Sequence, residues 1–108
     1  MSTVQKAFTG AEIHDGQTLL GANLALLVGP GSMRVAEHSD IPKDGQMIEL
    51  DGGVITPGFV DLQVNGGGGV MFNDDPSLDT LRVVSQAHAG LGTAAMLPTL
   101  ITDTHEKT

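Results

Sequence analysis

The fold is decided by the stretch Thr56-Pro57-Gly58-Phe59-Val60-Asp61-Leu62-Gln63-Val64-Asn65-Gly66-Gly67-Gly68-Gly69. In it, a Pro-Gly turn leads into an apolar strand, and a run of four glycines follows the strand. Because strand residues alternate between faces, Gln63 and Asn65 are expected on one face and Leu62 and Val64 on the other. Two polar side chains on one face, at the carboxyl end of a buried strand, are typical of a site rather than of a core.

The composition excludes several classes of protein. The chain has 108 residues, enough for one ordinary domain, and 5 basic against 13 acidic residues give a net charge of −8. This charge repels phosphate backbones and anionic lipid surfaces, so neither a nucleic acid nor a membrane is expected as a partner. The sequence has no cysteine and begins without the apolar core of a signal peptide, which fits a cytoplasmic protein.

The sequence changes character near residue 52. Residues 1–52 are rich in glycine and turn signals, and short strands are predicted at Val4–Phe8, Thr18–Val28, Ser32–Ala36 and Gln46–Leu50. This pattern predicts a small β-meander. A self-contained β-domain is the alternative.

Residues 53–108 have the pattern of a β-α-β unit. A near-continuous apolar strand is predicted over Val54–Val64, and Asp75-Pro76 is a favourable helix start. Apolar residues then recur at helical spacing as far as Leu91, and Thr93–Leu97 is the next predicted strand. The order predicts an α/β fold in which two adjacent parallel strands are joined by a helix.

One family resemblance is specific. The motif PGFVDLQVNGGGG resembles the first barrel strand of the amidohydrolase superfamily, where two histidines stand at the positions that Gln63 and Asn65 occupy here. This exchange, together with MFND (Met71–Asp74) and LPTLIT (Leu97–Thr102), resembles the N-acetylglucosamine-6-phosphate deacetylase family. The resemblance implies the start of a (β/α)8 TIM-type barrel, formed by residues 53–108 and preceded by part of a small β-sandwich, residues 1–52.

The resemblance also implies an activity. It points to a metal-dependent hydrolase that converts N-acetylglucosamine 6-phosphate to glucosamine 6-phosphate and acetate, with a divalent metal, zinc foremost, to polarise the acetamide carbonyl. Such an enzyme takes a small amino-sugar phosphate and is expected to be a homo-oligomer. The family's metal ligands, a Glu and two His, come from later barrel strands. This chain is therefore expected to hold no catalytic residue and no metal, and to be inactive alone.

The residues of the decisive stretch fit a supporting role. Gln63 and Asn65 offer neutral amide oxygens, which are poor zinc ligands, and are predicted to line the pocket for the substrate and the metal. The alternative is that both amides only satisfy loop backbone groups. The Gly66–Gly69 run matches neither common phosphate-binding glycine motif and is predicted to turn sharply beside the site. His88 is expected at the surface or edge of the helix rather than as a ligand.

The end of the sequence suggests a longer enzyme. Asp103–Glu106 has the spacing of a helix N-terminus, yet the sequence stops at Thr108. Because a single helical turn is unfavourable and a barrel takes about 250 residues, the chain is expected to be an N-terminal fragment. Two alternatives remain open. One is another amide hydrolase of the same superfamily, and the other is a non-catalytic truncated remnant that self-associates through its exposed sheet edge.

Overall fold

The computed structural model describes residues 4–107, and the chain divides into two compact units, residues 1–57 and 58–108. The outermost residues of the two predicted domains, 1–3 and 108, lie outside the described part. Each unit is built from short strands, and one α-helix lies in the second unit.

The first unit contains two small sheets. Its strands are β1 (Lys6–Thr9), β2 (Glu12–His14), β3 (Leu19–Gly21), β4 (Leu24–Gly29), β5 (Ser32–Glu37), β6 (Gln46–Glu49) and β7 (Val54–Ile55). One sheet has the order β5-β4-β1-β6, and the other has the order β3-β2-β7. A 3₁₀ turn, His38–Asp40, follows β5.

The predicted β-meander is wrong. β6 pairs in parallel with β1, and β7 pairs in parallel with β2. Such pairing joins segments that are distant in the sequence, so no local turn signal reveals it. The predicted strand Thr18–Val28 is interrupted after Gly21, whose φ of 102° strongly favours glycine, and β2 was not predicted.

The core of the first unit is thin. Its buried cluster consists of Ala7, Ala25, Leu27 and Ala36, with Val4 and Ile41 packed against it. Three of these four are alanine, and the other buried apolar side chains of the described part of this unit are Ala11 and Ile13, so little apolar area is removed from water. Backbone pairing within the sheets therefore carries much of the organisation of this unit.

The second unit confirms the predicted β-α-β order. Its elements are β8 (Phe59–Val64), β9 (Gly66–Gly67), β10 (Val70–Met71), α1 (Leu78–Ala89) and β11 (Thr93–Pro98). β8 and β11 are adjacent and parallel, with Thr93 opposite Phe59 and Pro98 opposite Val64. β9 and β10 form an antiparallel hairpin, and α1 packs against β9, β10 and β11.

Three details of the second unit differ from the sequence prediction. The strand predicted over Val54–Val64 is divided at Thr56–Gly58 into β7, in the first unit, and β8. The helix begins at Leu78, because the Ser77 side chain caps it by accepting a hydrogen bond from Thr80 N. Among residues 4–107, β8 and β11 form a two-stranded sheet, and no closed barrel is present.

The length of α1 is set at both ends by local chemistry. The side chain of Ser77 caps the first turn, and Gly92, with φ of 98°, reverses the chain after the last turn. Thr80 and Val84 are its buried residues, one turn apart. No helix of the described chain has the length and apolar character that crossing a membrane requires.

Candidate functional site

Gln63 and Asn65 lie at the carboxyl end of β8. Gln63 is exposed, Asn65 is half-buried, and Val64 between them is 3% exposed. The Gln63 backbone N–H donates a hydrogen bond to Asp61 Oδ1 at 3.1 Å, so Asp61 braces the strand locally. The strand end thus buries one apolar side chain and leaves two amides beside it.

The Asn65 side chain is incompletely satisfied. Its Oδ1 atom is buried and has no hydrogen-bond partner among residues 4–107. A buried acceptor without a donor costs about 1–3 kcal/mol, and buried polar atoms in native proteins are nearly always paired. The alternative, in which this amide only satisfies a loop backbone group, is not supported at Oδ1 in the described chain.

The backbone at this strand end is held firmly. Three successive carbonyl oxygens, of Val64, Asn65 and Gly66, accept hydrogen bonds from other segments. The donors are Thr99 N at 2.9 Å, Phe72 N at 2.8 Å and His88 Nε2 at 2.9 Å. These donors come from three separate segments of the second unit, so the end of β8 is bonded to each of them.

The glycine run packs against α1. A Cβ atom on Gly67 would lie 3.0 Å from the His88 ring, and one on Gly68 would lie 2.9 Å from Val83 Cγ1. Gly68 and Gly69 also have φ values of 63° and 84°, in the left-handed region that favours glycine. The predicted sharp turn is therefore present. The placement of this loop beside a substrate remains a prediction.

His88 was missed as a functional candidate. It was expected at the surface or edge of the helix, and it is half-buried there; the expectation did not include a bond from its Nε2 to Gly66 O, which is 2.9 Å long. A signal was available, because His88 stands four residues after the buried Val84 and therefore lies on the same face of α1.

The described residues do not form a metal centre. No three His, Cys, Asp or Glu side chains within residues 4–107 lie close enough together to hold a metal ion. Gln63 and Asn65 contribute neutral amide oxygens, which zinc accepts poorly. The described residues therefore do not fit zinc.

Comparison with known proteins places these features in context. No family model matches the chain. It is 61% identical over 54 residues to an N-acetylgalactosamine-6-phosphate deacetylase of a Shewanella species, a match of 50% of this chain and 14% of that protein. It is 48% identical over 68 residues to an N-acetylglucosamine-6-phosphate deacetylase of Haemophilus influenzae, covering 63% of this chain and 18% of that protein.

A solved structure is also similar. The crystal structure of N-acetylglucosamine-6-phosphate deacetylase from Pasteurella multocida matches with a TM-score of 0.84 and 39% identity, over 94% of this chain and 27% of that chain. The chain thus spans between 14% and 27% of the length of these relatives.

Proposed function

We propose, from the premise that the chain is homologous to part of the N-acetylglucosamine- and N-acetylgalactosamine-6-phosphate deacetylases, that it is the N-terminal part of such an enzyme. The enzyme removes acetate from an N-acetylhexosamine 6-phosphate. In this proposal β8, α1 and β11 are the first β-α-β unit of a (β/α)8 barrel, and residues 1–52 belong to a small β-sandwich. The parallel pairing of β8 with β11 supports the barrel assignment.

The observation that carries the proposal is the unpartnered Asn65 Oδ1 at the carboxyl end of β8. Catalytic groups of barrel enzymes lie at the carboxyl ends of the strands. A buried acceptor at that end needs a donor that residues 4–107 do not supply, and an ordered water molecule, which in turn reaches the substrate, or an N–H group of the rest of the enzyme provides one. Asn65 and Gln63 therefore line the pocket and orient the substrate or its attacking water.

The rest of the chemistry lies outside the chain. The described residues do not assemble three metal ligands, so the divalent metal that the resemblance implies is held by the remainder of the enzyme. Gln63 can both donate and accept through its amide, and the exposed position of this side chain leaves both functions available. A cytoplasmic location and a homo-oligomeric state are parts of the same proposal.

Two sugar phosphates are candidate substrates. The relative with 61% identity is an N-acetylgalactosamine-6-phosphate deacetylase, whereas the relative with 48% identity and the similar crystal structure are N-acetylglucosamine-6-phosphate deacetylases. The two sugars differ only at one hydroxyl. A site that hydrogen-bonds this hydroxyl in one configuration would discriminate strongly against the other.

The test uses the complete reading frame that encodes these residues. The purified product is given N-acetylglucosamine 6-phosphate and N-acetylgalactosamine 6-phosphate separately, and acetate is measured. Unphosphorylated N-acetylglucosamine is the matched control. We expect acetate from at least one sugar phosphate and a rate at least tenfold lower from the control. The control lacks the phosphate, and binding energy from such a group remote from the reacting amide raises turnover.

Each other result contradicts the proposal in a recognisable way. A product that hydrolyses another amide, such as a cyclic amide, but neither sugar phosphate would indicate a sister enzyme of the superfamily. A reading frame that ends at Thr108 and gives a self-associating, inactive product would indicate a truncated remnant.

A further inference from the structure

One side chain from outside its own segment, that of His88, is bonded to the backbone at the strand end that carries Asn65. Of the three bonds to the carbonyls of Val64, Asn65 and Gly66, two come from backbone N–H groups and the third comes from His88. A carbonyl oxygen only accepts, so the imidazole must carry a proton on Nε2. His88 is therefore the only one of the three donors that a substitution can remove without disturbing the backbone.

The His88 ring also occupies the space above the glycine run. A Cβ atom on Gly67 would lie 3.0 Å from both Cδ2 and Nε2 of this ring. The ring thus contacts the loop in two ways, through a hydrogen bond to Gly66 O and through packing on Gly67. Because glycine has the widest backbone freedom of any residue, a loop of glycines needs such external contacts to keep one conformation.

We propose that His88 is a positioning residue of the site: it holds the Gly66–Gly69 loop against α1 and thereby fixes the backbone that presents Asn65. This inference rests on the proposed function, in which Asn65 faces the substrate. His88 contacts Gly66, the residue next to Asn65, and not the reacting atoms. Removal of the His88 side chain should therefore lower kcat only through its effect on Asn65.

The experiment compares His88→Leu and His88→Gln in the complete protein. Leucine removes the donor, whereas the Nε2 of glutamine can donate to Gly66 O at a similar reach. We expect His88→Leu to lower kcat about tenfold with a small change in KM, because a slight misplacement of a positioned group is costly to turnover. His88→Gln should restore most of the loss.

A double-mutant cycle with Asn65→Ala separates positioning from general damage. If His88 acts through Asn65, His88→Leu causes no further loss of kcat in the Asn65→Ala protein. Losses that multiply would overturn the proposal, as would unchanged kinetics of His88→Leu in the otherwise wild-type protein.

Hydrogen exchange provides a readout that does not depend on the substrate. Amides of residues 66–72 should exchange at least tenfold faster in His88→Leu than in the wild-type protein or in His88→Gln, while amides of α1 stay protected. Unchanged loop exchange overturns the positioning role even if the enzyme proves to act on another substrate. Faster loop exchange in an enzyme that is inactive on both sugar phosphates would instead count against the proposed function.

Discussion

The side-chain amide of Asn73 forms two hydrogen bonds with the backbone of Ile101. Asn73 Nδ2 donates to Ile101 O at 2.8 Å, and Ile101 N donates to Asn73 Oδ1 at 2.7 Å. The two residues are 28 positions apart. Asn73 belongs to the MFND segment, which begins at the last residue of β10, and Ile101 belongs to the LPTLIT segment, which begins in β11. Both segments resemble the deacetylase family, and this contact gives a physical reason for the amide at position 73.

We expect Asn73→Ala to destabilise the second unit. Two hydrogen bonds are lost, and each contributes about 0.5–1.5 kcal/mol, so the free energy of unfolding should fall by about 1–3 kcal/mol. Denaturant unfolding of the complete protein measures the change. Asn23→Ala, at an exposed position of the first unit, is the control and should change stability by less than about 0.5 kcal/mol. Equal effects of the two variants would show that the amide contact contributes nothing.

Two glycines with similar backbone conformations should respond differently to alanine. Gly10 and Gly31 both have positive φ, of 83° and 65°, but a Cβ on Gly10 would collide with the Leu50 carbonyl, whereas nothing lies within 4 Å of one on Gly31. Both variants carry the left-handed penalty of about 1–2 kcal/mol. Gly10→Ala should cost about 1–3 kcal/mol more, because the collision involves backbone.

Thermal or denaturant unfolding of both glycine variants tests this difference. The prediction is contradicted if Gly31→Ala is as destabilising as Gly10→Ala, since the collision with Leu50 would then have no measurable cost.

Asp15 should make the first unit less stable as the pH falls. Hydrogen bonds from Thr18 N and Gln17 N to Asp15 Oδ1, at 2.7 and 2.8 Å, hold the pKa of this carboxyl below its usual value of 3.8. A carboxyl whose pKa is lower in the folded state contributes stability above the unfolded pKa and loses it as pH falls through the folded pKa.

Asp15→Asn keeps a side-chain oxygen acceptor but removes the titration. The wild-type protein should therefore be more stable than this variant at pH 6, and the difference should shrink toward pH 3. Stability curves of both proteins at the two pH values give the comparison. A difference that is the same at both pH values would show that the charge of Asp15 plays no part.

The sequence allowed the second unit to be predicted better than the first. Two apolar strands separated by a helix of clear periodicity predict that the strands pair in parallel, and β8 and β11, joined through α1, do so. In the first unit, the parallel pairs β1–β6 and β2–β7 depend on tertiary contacts between distant segments, which turn signals do not encode. The helix start was misplaced because Asp75 and Ser77 are both capable caps, and it is the Ser77 side chain that accepts the hydrogen bond from Thr80 N.

The candidate site was only partly accessible to sequence reasoning. Strand alternation indicates that Gln63 and Asn65 share a face, but the unpartnered Asn65 Oδ1 is a property of packing and cannot be read from residue types. The contact between His88 and Gly66 joins residues 22 positions apart, so a helical pattern could place His88 on the inner face without identifying its partner.

The 108-residue chain by itself should associate. Phe59 and Leu62, on opposite faces of β8, are 65% and 70% exposed, and Leu97 of β11 is 56% exposed. Apolar surface of this kind promotes association. Repulsion between chains of net charge −8 opposes association, but at ordinary salt this repulsion is screened beyond about 10 Å. Sedimentation at low and high salt should show larger species as salt rises. A monodisperse monomer at both salt concentrations would contradict this expectation.

The central claim is that Asn65 and Gln63 line the pocket of an N-acetylhexosamine-6-phosphate deacetylase. The most direct test is the rate of acetate release by the complete protein carrying Asn65→Ala, relative to the wild-type protein. Gln86→Ala, which removes an exposed amide from α1, is the control. We predict that Asn65→Ala lowers kcat by about tenfold or more while the protein unfolds at nearly the same denaturant concentration, and that Gln86→Ala changes neither quantity. Full turnover by Asn65→Ala would contradict the claim.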